Sequence, residues 1–148
     1  MILRSVLRIV TLLALAHPPG LVAQTPPDTV AAIKAADEAT RNWLAIVDKG
    51  QVEQSWEEAA LAFQMAVTKI KWVESLRSAR GAFESFADRQ QIMARYTTDL
   101  PNAPKGEYVV FQYRTTVAGG HQVIETVIPM RDTSRGWRVS GYFVRPDQ

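Results

Sequence analysis

Gly106-Glu107-Tyr108-Val109-Val110, Glu125-Thr126-Val127 and Gly136-Trp137-Arg138-Val139-Ser140-Gly141-Tyr142-Phe143 decide how this chain folds. Lying between Pro104 and Arg145, they read as three consecutive antiparallel strands. In the first, Val109, Phe111, Tyr113, Thr115 and Val117 alternate with Tyr108, Val110, Gln112, Arg114 and Thr116. Gly119-Gly120 reads as a two-residue hairpin turn, because both of its central positions need positive φ. That turn sets Ala118 opposite His121, and hence Tyr113 opposite Thr126 and Arg114 opposite Glu125. Phe111, Tyr113, Thr115, Ile124, Thr126 and Ile128 then share an apolar face. In the last strand Trp137, Val139, Gly141 and Phe143 alternate with Arg138, Ser140, Tyr142 and Val144.

Upstream, the periodicity changes from two to that of a helix. Val30, Ile33, Ala36, Trp43, Leu44 and Val47 share one helical face over Thr29 to Lys49, and Gly50 ends it. A second helix is predicted from Gln51 to about Ala62, and a third, capped by Thr68, to Arg80. Phe83 to Thr97 fits a helix or a long, bent first strand, and the strand is favoured because a smaller sheet would poorly cover the helices. The expectation is an α+β domain over residues 29–148, with N-terminal helices packed on a curved antiparallel sheet of about four strands.

Residues 1–23 read as a cleaved secretory signal peptide. Arg4 and Arg8 form its basic start, Ile9 to Ala16 its apolar run, and Leu21-Val22-Ala23 its cleavage site. The run is shorter than the ~18 apolar residues of a membrane span, so no stable span is expected after cleavage. Residues 24–28 form a short tether, and the destination is the periplasm or the exterior of a bacterium. Without the signal arginines, the 17 Lys+Arg and 15 Asp+Glu become 15 against 15, which gives no electrostatic footing for nucleic acid. The chain has no cysteine, so its core alone must hold it together.

The chemistry is sparse. With no cysteine, and with His121 at a hairpin tip, neither a zinc site nor a Cys/His nucleophile is expected; no cofactor is implied. Glu125 interrupts an apolar strand, and the register above supplies Arg114 as its ion-pair partner. Arg80 and Arg89 could neutralise an anionic ligand, although Arg80 also suits the C-terminus of its helix. Trp43, Trp56, Trp72, Tyr113 and Thr126 are the residues that could line an apolar pocket, the alternative for the indoles being a filled core. On the second sheet face, Tyr108, Val110, Arg114, Glu125 and Tyr142 could form an interface, including a homodimer through the sheet.

Trp43-Leu44 with Asp48 and Gly50, Ser55-Trp56, Trp72 with Arg80 and Gly81, and the three strand segments quoted above carry a family resemblance in their order and spacing. The chain resembles an exported bacterial domain-of-unknown-function family, number 4019 in that series. More distantly, helices followed by a bent sheet ending in Gly136-Trp137-Arg138-Val139 resemble the nuclear transport factor 2-like, or cystatin-like, cone. That resemblance implies a cone whose interior is a pocket, an active site or a filled core. Its enzymatic members place an Asp or His inside, which has no match here. The expected function is an exported, non-catalytic module that binds a small apolar ligand or a protein partner. The alternative is a cone-type hydrolase or isomerase acting on a hydrophobic small molecule, with Tyr113, Glu125 or Tyr142 as its players.

Overall fold

Apolar and small residues spaced by helical turns, Ala32, Ala36, Thr40, Trp43, Leu44 and Val47, form the buried stripe of the first helix. In the computed structural model, which describes residues 27–148, this helix, α1, spans Pro27–Asp48. It starts at Pro27 rather than Thr29, two residues before the expected boundary. The expected signal peptide lies outside the described residues. No described helix is long and apolar enough to cross a membrane.

Helices α2 (Val52–Glu57), α3 (Leu61–Ala66) and α4 (Lys69–Gly81) follow. The single helix expected from Gln51 to Ala62 is therefore broken, and tertiary hydrogen bonds explain the break. Residues 58–60 are fastened to the sheet: the Ala60 N–H donates to the Val139 carbonyl at 2.8 Å, and Arg138 grips Glu58 at 2.6 Å. The Gln64 amide donates to the carbonyls of Trp56, Glu57 and Ala59 at the break, where Trp56 also accepts from the Ala59 N–H at 3.1 Å. Thr68 caps α4 as expected, its hydroxyl accepting from the Lys71 N–H.

The sheet is a four-stranded antiparallel meander in the order β1 (Phe86–Thr97), β2 (Tyr108–Val117), β3 (Gln122–Asp132), β4 (Gly136–Pro146). Phe83 to Thr97 thus supplies the long first strand, but not with simple alternation. Irregularities lie between Ala87 and Gln90 and between Gln91 and Met93, with Asp88 at φ +47°. Such bulges bend a strand and re-aim its side chains.

The hairpin register differs by one residue from the expectation. Tyr113 opposes Glu125 and Arg114 opposes Ile124. The connection is a three-residue turn, Ala118–Gly120, closed by the Val117 N–H on the His121 carbonyl at 2.9 Å. A one-residue slip exchanges the faces of a strand. Val123, Glu125 and Val127 therefore join Phe111, Tyr113 and Thr115 under the helices, and Ile124, Thr126 and Ile128 take the other face. A further shift near Ser140 places Val139 and Tyr142 in the same core, leaving Phe143 outside.

The β3–β4 turn is organised by Asp132. Its carboxylate accepts from the Leu61 N–H at the start of α3 and from the Ser134 N–H and hydroxyl. The Leu61 bond, with the Ser134 bonds, lowers its pKa to about 2. A lowered folded pKa contributes stability that is complete above the unfolded value of about 4 and is lost as pH falls through the folded one. Asp132→Asn should therefore lower the denaturation midpoint at pH 6 and lower it by much less near pH 2, as urea titrations across that range would report.

Candidate functional site

The polar centre of the molecule is built on Glu125, fully buried on the inner face of β3. Each neighbouring element sends a side chain to it. From β1, Arg89 donates through Nε to Oε2 at 2.6 Å and through Nη2 to Oε1 at 3.2 Å. From β2, the Thr115 hydroxyl donates to Oε2 at 2.7 Å. From β4, the Tyr142 hydroxyl donates to Oε1 at 2.6 Å while accepting from Arg80 Nη1 at 3.0 Å. Arg80 itself, near the end of α4, stands 3.5 Å from Oε1 and stacks its guanidinium 3.7 Å over the Phe86 ring.

Asp48, in the last turn of α1, closes the arrangement. It receives Arg80 Nη2 at 2.7 Å and Arg89 Nη1 at 2.9 Å, so two carboxylates alternate with two guanidiniums. Burial alone would raise the Asp48 pKa, but hydrogen bonds and charge from Arg89 and Arg80 outweigh it and hold the carboxyl below its ordinary range. The Tyr142 phenol is pushed up, first by burial and then by the negative charge of Glu125. It stays protonated and keeps its donor role at neutral pH.

A carboxylate offers about four lone-pair positions. The two bonds from Arg89 and those from Thr115 and Tyr142 occupy them, so Glu125 has no vacant position from which to take a substrate proton. The Arg114 partnership expected from the sequence gives way to an exposed pair between Arg114 and Asp147 at 2.6 Å. Arg89 reaches the interior because the β1 bulge turns it there, a long-range pairing that strand alternation does not disclose.

The other residues selected from the sequence divide by face. Trp43 and Trp72 are buried against each other with ring centroids 6.1 Å apart, and Tyr142 lies 5.5 Å from Trp43. Trp43 donates its N–H to the Ser55 carbonyl and Trp72 to the Ser55 hydroxyl, while half-buried Trp56 donates to the Val67 carbonyl. The indoles of these helices thus anchor the core through their N–H groups, and Trp72 also reaches the surface groove beside β4. Tyr113 is buried on the inner face, whereas Thr126 lies on the outer one against Gln112. Of the residues chosen for an outer interface, Glu125 and Tyr142 face inward. Tyr108 is covered by Ala60, Met130 and the 100–104 loop, its hydroxyl donating to the Pro104 carbonyl. Val110 is buried and Arg114 is exposed.

The surface feature that sequence reading missed is an apolar groove along the free side of β4. One part, about 460 Å³, lies between Phe63, Trp72, Leu76 and Ala79 and the strand residues Tyr142 to Val144. A second, about 430 Å³, continues past Phe63, Ser140, Gly141 and Phe143 to Leu100 and Tyr108. Phe143, 62% exposed, stands between them. The profile of the family described as "Protein of unknown function (DUF4019)" matches residues 39–142. The chain belongs to this family. The match reaches from α1 to Tyr142 and so includes every residue of the Glu125 network. No curated protein matches the chain.

Removing one partner of a buried ion pair strands the other charge, at a cost of about 3–5 kcal/mol. Arg89→Ala and Glu125→Gln should each reduce the free energy of unfolding by that order. Tyr142→Phe should lose about 1.5–3 kcal/mol. Arg114→Ala, which breaks only an exposed pair, should lose less than about 1 kcal/mol. Urea denaturation of the four variants checks the ranking, and a costly Arg114→Ala beside a neutral Arg89→Ala would contradict the observed register.

Proposed function

We propose that this protein is an exported, non-catalytic binding module that receives an extended apolar segment, such as a peptide in strand conformation, along the free edge of β4. The observation that carries this reading is the junction of an apolar groove with unpaired strand backbone. The Asp147 N–H donates to the Gln122 carbonyl. By antiparallel alternation, residues 141, 143 and 145 bond to β3, and the backbone groups of Tyr142 and Val144 point the other way. Nearer the start of the strand, Ala60 already occupies the Val139 carbonyl, so the open stretch begins beside the groove. A guest strand could bond to Tyr142 and Val144 and place alternate side chains against Trp72, Leu76 and Phe143.

The saturated state of Glu125 supports binding over the hydrolase or isomerase alternative, because general base catalysis needs a carboxylate that can accept a proton from substrate. Export is supported by the basic start, short apolar run and small-residue cleavage site of residues 1–23.

A capped heptapeptide alternating leucine and serine is a suitable probe. Titrated into 15N-labelled protein, it should give saturable shifts concentrated at residues 140–145 and 72–79. Phe143→Ser and Ala79→Trp should each weaken it about tenfold, the loss of roughly one buried side-chain contact, with little change in unfolding midpoint. Saturable shifts confined to another surface, or affinity indifferent to both substitutions, would refute the reading.

A further inference from the structure

The open edge of β4 is bounded at both ends. Beside the groove its unpaired backbone is that of Tyr142 and Val144. The Ala60–Val139 bond lies before them, and Pro146, which has no N–H, lies beyond. Those bounds fit one guest closely, an antiparallel copy of the same strand. A two-fold axis at Phe143 sets Tyr142 opposite the second copy's Val144 and Val144 opposite its Tyr142, so each pair exchanges both backbone bonds. The second copy's strand then ends with its Pro146 opposite Ser140, just short of the Val139 carbonyl that Ala60 holds. A slide of two residues, the smallest that keeps side chains on their faces, spoils this fit either way. One direction sets Pro146 opposite Tyr142, where an N–H is missing. The other drives the strand end onto the Ala60 anchorage.

The side chains suit the same register. On the outer face Phe143, 62% exposed, meets its own symmetry mate across the axis. The second copy's Arg145 falls opposite Gly141, and the Phe143 ring lies over that glycine, its Cε2 3.4 Å from where a Cβ would stand. Among the described residues Arg145 has no carboxylate partner, its guanidinium donating to the adjacent Pro146 carbonyl at 3.3 Å. Pairing brings this cation against the face of an aromatic ring. On the inner face the second copy's Val144 extends toward Phe63, Trp72 and Leu76. Eleven residues line one part of the groove and fourteen the other, with four in common. That total is close to the roughly 20–30 residues a side of a stable interface.

We propose that the protein forms a two-fold dimer by pairing β4 with β4 of a second copy about Phe143, continuing the sheet across both molecules. This rests on the reading that β4 accepts a guest strand, and it names the resident guest.

The chain has no cysteine, so an introduced one reports contact cleanly. Phe143→Cys should form an intermolecular disulfide in air, because opposed α-carbons of such a pair lie about 4.5 Å apart, within reach of the bond. Arg145→Cys, also exposed but offset along the strands from its own symmetry mate, should not cross-link. Sedimentation equilibrium of the unaltered protein should show a dimer in the micromolar range or below, and saturating leucine–serine heptapeptide should dissociate it. Phe143→Glu and Phe143→Lys should each raise the dissociation constant at least about tenfold by opposing like charges, and mixing the two should restore a heterodimer. At concentrations where all are monomeric, their unfolding midpoints should match that of the unaltered protein, since Phe143 is a surface residue. Cross-linking through residue 145 instead of 143, or a dimer indifferent to both charges, would overturn the pairing. A protein that stays monomeric up to about 1 mM, the weak end of specific association, while the heptapeptide still shifts residues 140–145 would overturn the dimer alone. A monomer that also ignores the heptapeptide would overturn the dimer together with the reading on which it rests.

Discussion

A carboxylate with no solvent exposure must be given hydrogen bonds and positive charge by the protein, or the fold that buries it is lost. Glu125 imposes that demand, and its solution draws on every layer of the molecule. Arg89 comes from β1, Thr115 from β2, Tyr142 from β4 and Arg80 from α4, with Asp48 of α1 balancing the second guanidinium. Apolar contacts among Trp43, Trp72, Leu76, Phe111 and Val127 supply the non-directional attraction between helices and sheet. The network adds direction: one placement of α1 and α4 over the strands satisfies all of its members together.

The same economy of partners shapes the surface. Fastening residues 58–60 to β4 and the Leu61 N–H to Asp132 interrupts the second helical segment and holds α3 at the start of the strand. Beyond that anchorage, no backbone hydrogen bond ties the described helices to β4, and the groove beside Phe143 opens there. Edge strands invite pairing unless covered. Here the cover stops at Val139, so the groove follows from where the α2–α3 link is tied down.

Much of this architecture is legible in the amino-acid order. Most of the α1 face, the Thr68 cap, the alternation of β2 and the long first strand rest on local patterns that survive folding. Val30 and Ile70, expected inward on α1 and α4, are instead 57% and 73% exposed, because apolar spacing alone does not say how far the sheet reaches along a helix. The slip at Ala118–Gly120 shows what does not: adjacent glycines announce a turn, but whether two or three residues make it depends on the strands they join. That one residue moved Glu125 from an expected surface pair with Arg114 to the centre of the core. Its true partner, Arg89, is 36 residues away in sequence and is aimed by a bulge at Asp88, a position with no glycine to advertise positive φ. The β4 groove was hidden for a related reason, since it arises from a broken helix and a shifted strand, neither of which is a property of a single segment.

The Glu125–Arg89 pair is a cooperative unit that holds helices and sheet in one arrangement. A double-mutant cycle combining Glu125→Gln with Arg89→Met, read by urea denaturation, measures this directly. The double variant should be less destabilised than the sum of the single variants by more than about 1 kcal/mol, because each single change strands a buried group that the pair of changes removes. Additivity within about 0.5 kcal/mol would show the residues to be energetically independent and would contradict the central role assigned to their contact.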